Sequence, residues 1–178
     1  MRAVFLLMVS LLVLFADDGR YEVYFMPEEG KQAQKRVVEL IKSAKNRVDI
    51  AMYSFTNKTI ANAVKTVAKK GVKVRIVVDK EANINSKYSQ AGRLATLKGV
   101  DVYAARGIKS KSGKYFGKMH LKLAVIDSKT TILGSANWSK SAFESSYELL
   151  YVTKNYALAK KSRAFMEKIA RESQPYYK

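Results

Sequence analysis

Met119–Glu148 reads MHLKLAVIDSKTTILGSANWSKSAFESSYE, and its two strand-like runs, His120–Ile126 and Thr131–Leu133, are parted only by Asp127-Ser128-Lys129. A link this short folds two strands back on each other, so the stretch predicts an antiparallel hairpin. Residues two apart in a strand share a face, which sends the side chains of His120 and Lys122 to the same side. His120 is the only histidine in 178 residues. An imidazole beside a cation suits a phosphate ester, because the ring can attack phosphorus while the ammonium holds the non-bridging oxygens. The plain alternative is a partly buried histidine at a strand end. One strand further on, Gly134-Ser135-Ala136-Asn137 leads into a helix expected to start near Trp138. Ser135, Asn137 and the free N–H groups of that helix suit a phosphate oxygen, and Gly134 lets backbone come close. An ordinary turn with capping residues is the alternative.

Outward from the hairpin, strands and helices alternate. Tyr21–Met26 reads as a strand stopped by Pro27, and Glu28–Ala44 as a helix with Val37, Leu40, Ile41 and Ala44 on one face. Arg47–Tyr53 is the next strand. Asn57 caps a helix through Lys70 that Gly71 ends, and Val72–Val78 is a central strand. A polar stretch, Asp79–Ser86, leads to a helix near Tyr88–Lys98 and a short strand at Val100–Ala104. After the hairpin come a strand at Tyr147–Val152 and a helix from Asn155 to about Ser173, with Leu158, Ser162, Phe165 and Ile169 facing inward. Alternation predicts an α/β layered domain, and the hairpin makes the sheet mixed rather than parallel, with helices on both faces.

The 33 Lys+Arg against 15 Asp+Glu give a net charge of +18. Such a surface attracts polyanions: nucleic acid first, with anionic lipid as the rival. With no cysteine in the chain, disulfides, thiolate metal sites and a cysteine nucleophile are excluded. One arginine precedes the apolar run Ala3–Ala16, and Asp17-Asp18-Gly19 follows. The run is short of the roughly 20 residues that span a bilayer. It matches a secretory signal at 1–16, cut after Ala16, although Leu14 stands where a small residue is usual. That predicts an exported protein, periplasmic or secreted, with a mature domain at 17–178. An uncleaved membrane anchor is the alternative, and only then would the protein be held at a membrane.

Ala105–Lys118 enters directly into the histidine strand and holds five cations, three glycines, two adjacent aromatics and no acid. Arg106, Lys114, Tyr115 and Phe116 in this strap combine charge for phosphates with rings for splayed bases, which favours single strands. A solvated loop on a basic protein is the alternative.

His120-Leu-Lys122, four residues, Asp127, then Gly134-Ser135-Ala136-Asn137, together resemble the HxKxxxxD signature and trailing G-S-x-N element of the phospholipase D superfamily. The resemblance is to its small nuclease branch with one motif per chain, and it covers most of the chain after residue 20. It implies that family's fold, a covalent phosphohistidine on His120, and a 5′-phosphate on one product. It also implies Lys122 and Asn137 as catalytic residues, Asp127 as a support of the site, and Glu148 as a hydrogen-bonding partner of the histidine. A hairpin turn wants an aspartate at 127 in any case.

The mechanism needs a nucleophile and an acid for the leaving oxygen, and one chain supplies one imidazole. The family resolves this by bringing two motifs to a twofold axis. A homodimer is therefore expected, its active site at the subunit interface and one His120 from each chain. No cofactor is expected and no metal: zinc catalysis takes three ligands rich in His or Cys. A magnesium site at Asp49 and Asp79 is the alternative. The leading expectation is an exported, metal-independent, non-specific endonuclease. Its rivals are a phospholipase D-type hydrolase of cardiolipin or a similar lipid, and a non-catalytic protein that binds DNA for uptake.

Overall fold

In chain order the elements are β1 (Tyr21–Met26), α1 (Gly30–Ser43), β2 (Arg47–Met52), α2 (Lys58–Lys69), β3 (Lys73–Asp79), α3 (Lys80–Asn83) and α4 (Ala91–Ala95). They continue with β4 (Val100–Ala105), β5 (Lys122–Ile126), β6 (Thr130–Gly134), α5 (Lys140–Glu144), β7 (Glu148–Lys154), α6 (Tyr156–Arg171) and β8 (Gln174–Pro175). This computed structural model describes residues 21–176, and the expected leader at 1–16 lies outside the described residues.

All eight strands join one sheet in the order β1-β7-β6-β5-β2-β3-β4-β8. The pairs β2–β3 and β3–β4 are parallel. The remaining pairs are antiparallel. The sheet is mixed because the β5–β6 hairpin inserts beside β2. Central position shows in the side chains: Val48 through Met52 of β2 are buried without a break, as a strand covered on both faces requires.

One face of the sheet (Val48, Ile50, Met52, Ile76, Val78, Ala124, Ile126) packs with α1, α2 and α5 in the larger core. The other (Ala51, Val77, Val125) meets Ala159, Met166 and Ala170 of α6. Helices therefore cover both faces, as alternation predicted. Asn57 caps α2, its side-chain oxygen accepting from Ile60 N–H at 3.1 Å.

Local departures have local causes. The expected polar link after β3 forms a single turn, α3, because Asp79 Oδ1 accepts from Ala82 N–H at 3.0 Å. The helix expected near Tyr88–Lys98 shrinks to Ala91–Ala95. The inward stripe of α6 is Ala159, Ser162, Met166 and Ala170, one position off the expected Leu158-Ser162-Phe165-Ile169. Both lines are apolar. The one with smaller residues lets the helix lie close on the sheet, and Phe165 is left half exposed. Among the described residues no helix is long and apolar enough to cross a membrane.

Candidate active site

The parallel strands β2 and β3 end on the same edge of the sheet, and in open α/β sheets that edge is where sites form. Asp79, the last residue of β3, is fully buried. Besides capping α3 it accepts the backbone N–H of Met119 through Oδ2 at 3.0 Å. Met119 is buried. The residue before the histidine is thus pinned twice, by packing and by a carboxylate. Just past the end of β2, Tyr53 N–H donates to the Leu121 carbonyl at 2.8 Å, which extends the β2–β5 pairing to the other side of the histidine.

His120 stands two residues before β5 and is exposed, so it is held by its neighbours rather than by the sheet. Its ring lies 4.6 Å from the Tyr53 ring, edge to face at 61°. The Lys122 ammonium sits 3.2 and 3.1 Å from the two ring nitrogens and 3.1 Å from the His120 carbonyl oxygen. A neutral imidazole has one bare nitrogen, so the ammonium donates to whichever nitrogen lacks the proton. The same ammonium lies 5.2 Å from the centre of the Tyr53 ring, and that of Lys118 lies 5.7 Å from it. Burial lowers the pKa of Lys122 from its ordinary value, and the Glu148 carboxylate works against that shift.

Asn137 reaches the same place from the far side of the motif. Its side-chain oxygen accepts from Ser54 N–H at 3.3 Å, next to the tyrosine that touches His120. The carboxamide N–H2 has no protein partner among the described residues. Trp138 behind it is buried, stacks edge-on with Phe55 at 5.2 Å, and its carbonyl accepts the N–H groups of Thr56 and Asn57. Ser135 Oγ accepts from Leu149 N–H at 3.1 Å, which ties the turn to the start of β7 and to Glu148. Gly134 serves the sheet: a Cβ there would stand 2.2 Å from the Leu149 carbonyl oxygen. The helix after the turn starts at Lys140, not Trp138, and Ser139 caps it by accepting from Ala142 N–H. One of its N-terminal N–H groups is therefore taken up by Ser139.

Asp127 stands in the hairpin turn, as expected, at the opposite end of β5 from His120, with positive φ at Asp127 and Ser128. Its carboxylate accepts from Lys45, Asn46 and Arg47 N–H at 2.8, 2.8 and 2.9 Å. It locks the hairpin to the loop before β2 and stands outside the reacting group. Burial would raise its pKa, but the N–H groups of Arg47, Lys45 and Asn46 outweigh that and hold the carboxyl below its usual range. A depressed carboxylate stabilises above its unfolded pKa, and the contribution is lost as pH falls through the folded value. Asp127→Ala is therefore expected to cost about 2–3 kcal/mol of stability at neutral pH, with a smaller deficit in acid. Urea unfolding at two pH values checks this, and turnover of the remaining folded protein should be unchanged.

Glu148 makes no hydrogen bond to His120 among the described residues; its action is on the charge of Lys122. The strap is a small hairpin pinched at its base, where Gly107 N–H donates to the Gly117 carbonyl at 2.7 Å and a Cβ on Gly107 would stand 2.5 Å from Gly117. Arg106 pairs with Glu81 at 2.6 Å and lies 5.3 Å from the Phe116 ring. Phe116 faces that pair, Tyr115 and Lys114 point to solvent, and none of these three lines the space at His120. That space is a cleft of about 490 Å³ between strap and α6, lined by Arg106, Ile108, Lys118, His120, Leu121 and Phe165 among others.

The magnesium alternative meets two occupied aspartates. Both oxygens of Asp79 accept backbone N–H groups, and Asp49 is buried against Arg47 at 2.7 Å, with Arg75 and Arg163 at 3.8 and 3.9 Å. Tyr53 and Asn83 also stand at the site, although no sequence motif marks them. Buried Asn83 accepts Phe55 N–H and donates to the Tyr53 carbonyl at 2.7 Å, which fixes the segment carrying the ring. The available signal was an aromatic directly after a fully buried strand.

The family model described as "Cardiolipin synthase, PLD-like domain" matches residues 37–170. Among solved structures, NucT from Helicobacter pylori is 39% identical with a TM-score of 0.85, over 88% of this chain and 98% of that one. Nuc from Salmonella typhimurium, a phospholipase D family member, is 27% identical with a TM-score of 0.75, over 89% and 98% of the two chains. Human mitochondrial cardiolipin hydrolase is 27% identical over 143 residues, 80% of this chain, and the chain spans 51% of that protein's length.

Proposed function

We propose that this chain, which belongs to the phospholipase D-like domain family, is a nuclease that cleaves nucleic acid through a phosphohistidine and needs no metal. The observation that carries the reading is the Lys122 ammonium set against both nitrogens of the lone imidazole, at the mouth of a cleft walled by a basic strap. A ring nitrogen of His120 attacks phosphorus and the bond to the leaving oxygen breaks. Lys122 and the N–H2 of Asn137 receive the charge that grows on the non-bridging oxygens. Water then attacks the phosphohistidine and frees the ring. The net charge of +18 draws a polyanion to the site, and likeness to NucT and Nuc supports a nuclease.

A second imidazole from a second copy protonates the leaving oxygen. Support for a homodimer comes from the sheet face at the β1–β7 edge. Val23 pairs with Tyr151 and Phe25 with Leu149, and Tyr21, Val23, Phe25 and Leu149 are exposed. An apolar row of this kind marks a contact surface. If the pair of histidines is shared, mixing wild type with an equal amount of His120→Ala, followed by subunit exchange, leaves about one quarter of the activity, since only wild-type pairs turn over. One half remaining would refute the shared centre.

A second reading, hydrolysis of cardiolipin, is favoured by the name of the human relative. Purified protein in EDTA, offered single-stranded DNA, RNA and cardiolipin vesicles, decides between them. Nucleotide release is expected. Release of phosphatidic acid alone overturns the nuclease reading, and activity that requires added magnesium overturns the histidine mechanism.

A further inference from the structure

We propose that the cleft between the strap and α6 seats the base of the nucleoside adjoining the scissile phosphate, with Phe165 as its stacking wall. This rests on the nuclease reading of the His120 site and adds where the substrate's first base lies.

Position comes first. His120 and Leu121 line the cleft, so the nucleophile borders it directly. A nucleoside whose phosphate meets His120 has its base one sugar away, within reach of the walls. Those walls are apolar where a base would lie: Ile108 from the strap, Phe165 and Ile169 from α6, and Leu121 below. Ile108 is 92% exposed and Phe165 50% exposed. Neither is needed by the core, since α6 packs on the sheet through Ala159, Met166 and Ala170. Arg106 and Lys118 on one side and Lys168 on the other stand around this apolar floor, with Glu172 the only acid among the lining residues. An aromatic wall ringed by cations is what an unpaired nucleotide requires, a face for the base and charges for the flanking phosphates. An acyl chain would use the floor but not the charge beside it: Arg106 pairs with Glu81 and Lys168 lies 4.0 Å from Glu172, while Lys118 has no acidic partner among the described residues and is left for a phosphate. A base still paired in a duplex is stacked inside the helix and does not reach the floor, so the cleft selects single strands.

The test uses the full chain and two short single-stranded DNA oligonucleotides of equal length, one ordinary and one built wholly of stable abasic residues. Wild type is expected to cleave the ordinary strand with the higher kcat/KM. Phe165→Ala should lose about tenfold in kcat/KM on the ordinary strand, mostly through KM, the loss typical of one base–aromatic contact. It should be unchanged on the abasic strand, and Phe165→Trp should restore the preference. Equal cleavage of both strands by wild type overturns this inference alone, while cleavage of neither overturns the nuclease reading beneath it. Equal losses of Phe165→Ala on both strands, or a change of sedimentation mass in that variant, would make Phe165 a structural or subunit contact. A loss confined to cardiolipin hydrolysis would assign the cleft to an acyl chain. Each of these sinks the proposal.

Discussion

His120→Ala is expected to abolish turnover, with a loss of at least about 10⁴-fold in kcat and near-native affinity for single-stranded DNA. The reason is arithmetic as much as chemistry. The chain has one histidine, so in the proposed homodimer the substitution removes the nucleophile from one subunit and the acid from its partner together. Affinity survives because the cations of the strap and of Lys122 remain. Quenching wild type in acid-free denaturant during turnover of ³²P-labelled DNA should trap label that is acid-labile and alkali-stable, and that maps to His120. Label on another residue, or residual turnover within tenfold of wild type, would end the covalent-histidine account. Unchanged affinity with no turnover and an undiminished biological effect of the variant would instead favour a DNA-binding protein.

Lys122→Met should lower kcat by about 10²–10³-fold, the usual loss for one donor to a developing oxyanion, with little change in KM. Methionine keeps much of the aliphatic stem against Tyr53 and removes the charge, so a folding defect is not expected. The pH profile gives the second readout. Burial lowers the pKa of Lys122, so the ammonium is lost at lower pH than that of an ordinary lysine, and the alkaline limb of kcat should fall correspondingly early. Glu148 opposes the shift. Glu148→Gln should therefore move the alkaline limb further toward neutral, and Lys122→Met should erase that limb. A limb that stays put in Glu148→Gln would show that another group titrates there.

The pair at the centre of the site was legible because two residues of one extended run share a face whatever surrounds them. The hairpin, the caps at Asn57 and the central strands followed from equally local rules. The contacts of Asp127 were not legible, for the complementary reason. Its spacing fits the motif, but its partners Lys45–Arg47 are about 80 positions earlier in the chain, and only the β2–β5 pairing brings them to it. The α6 stripe slipped by one residue because two neighbouring apolar lines satisfy helical period equally well. Packing against Ala51 and Val77 chose the smaller one and left Phe165 outside.

By itself, then, the sequence determined the chemistry that one strand end can carry: an imidazole, an ammonium on its side, and a following turn that offers an amide. It also determined an alternation that makes a sheet between helices. Tertiary structure decided what surrounds that chemistry: Tyr53 against the ring, Asp79 under Met119, Asn83 behind Tyr53, and a cleft opened by the strap and α6. The first kind of information is periodic and resides in neighbours a few residues apart. The second depends on which strands pair and how closely a helix lies on them, and no short window of the chain contains both partners.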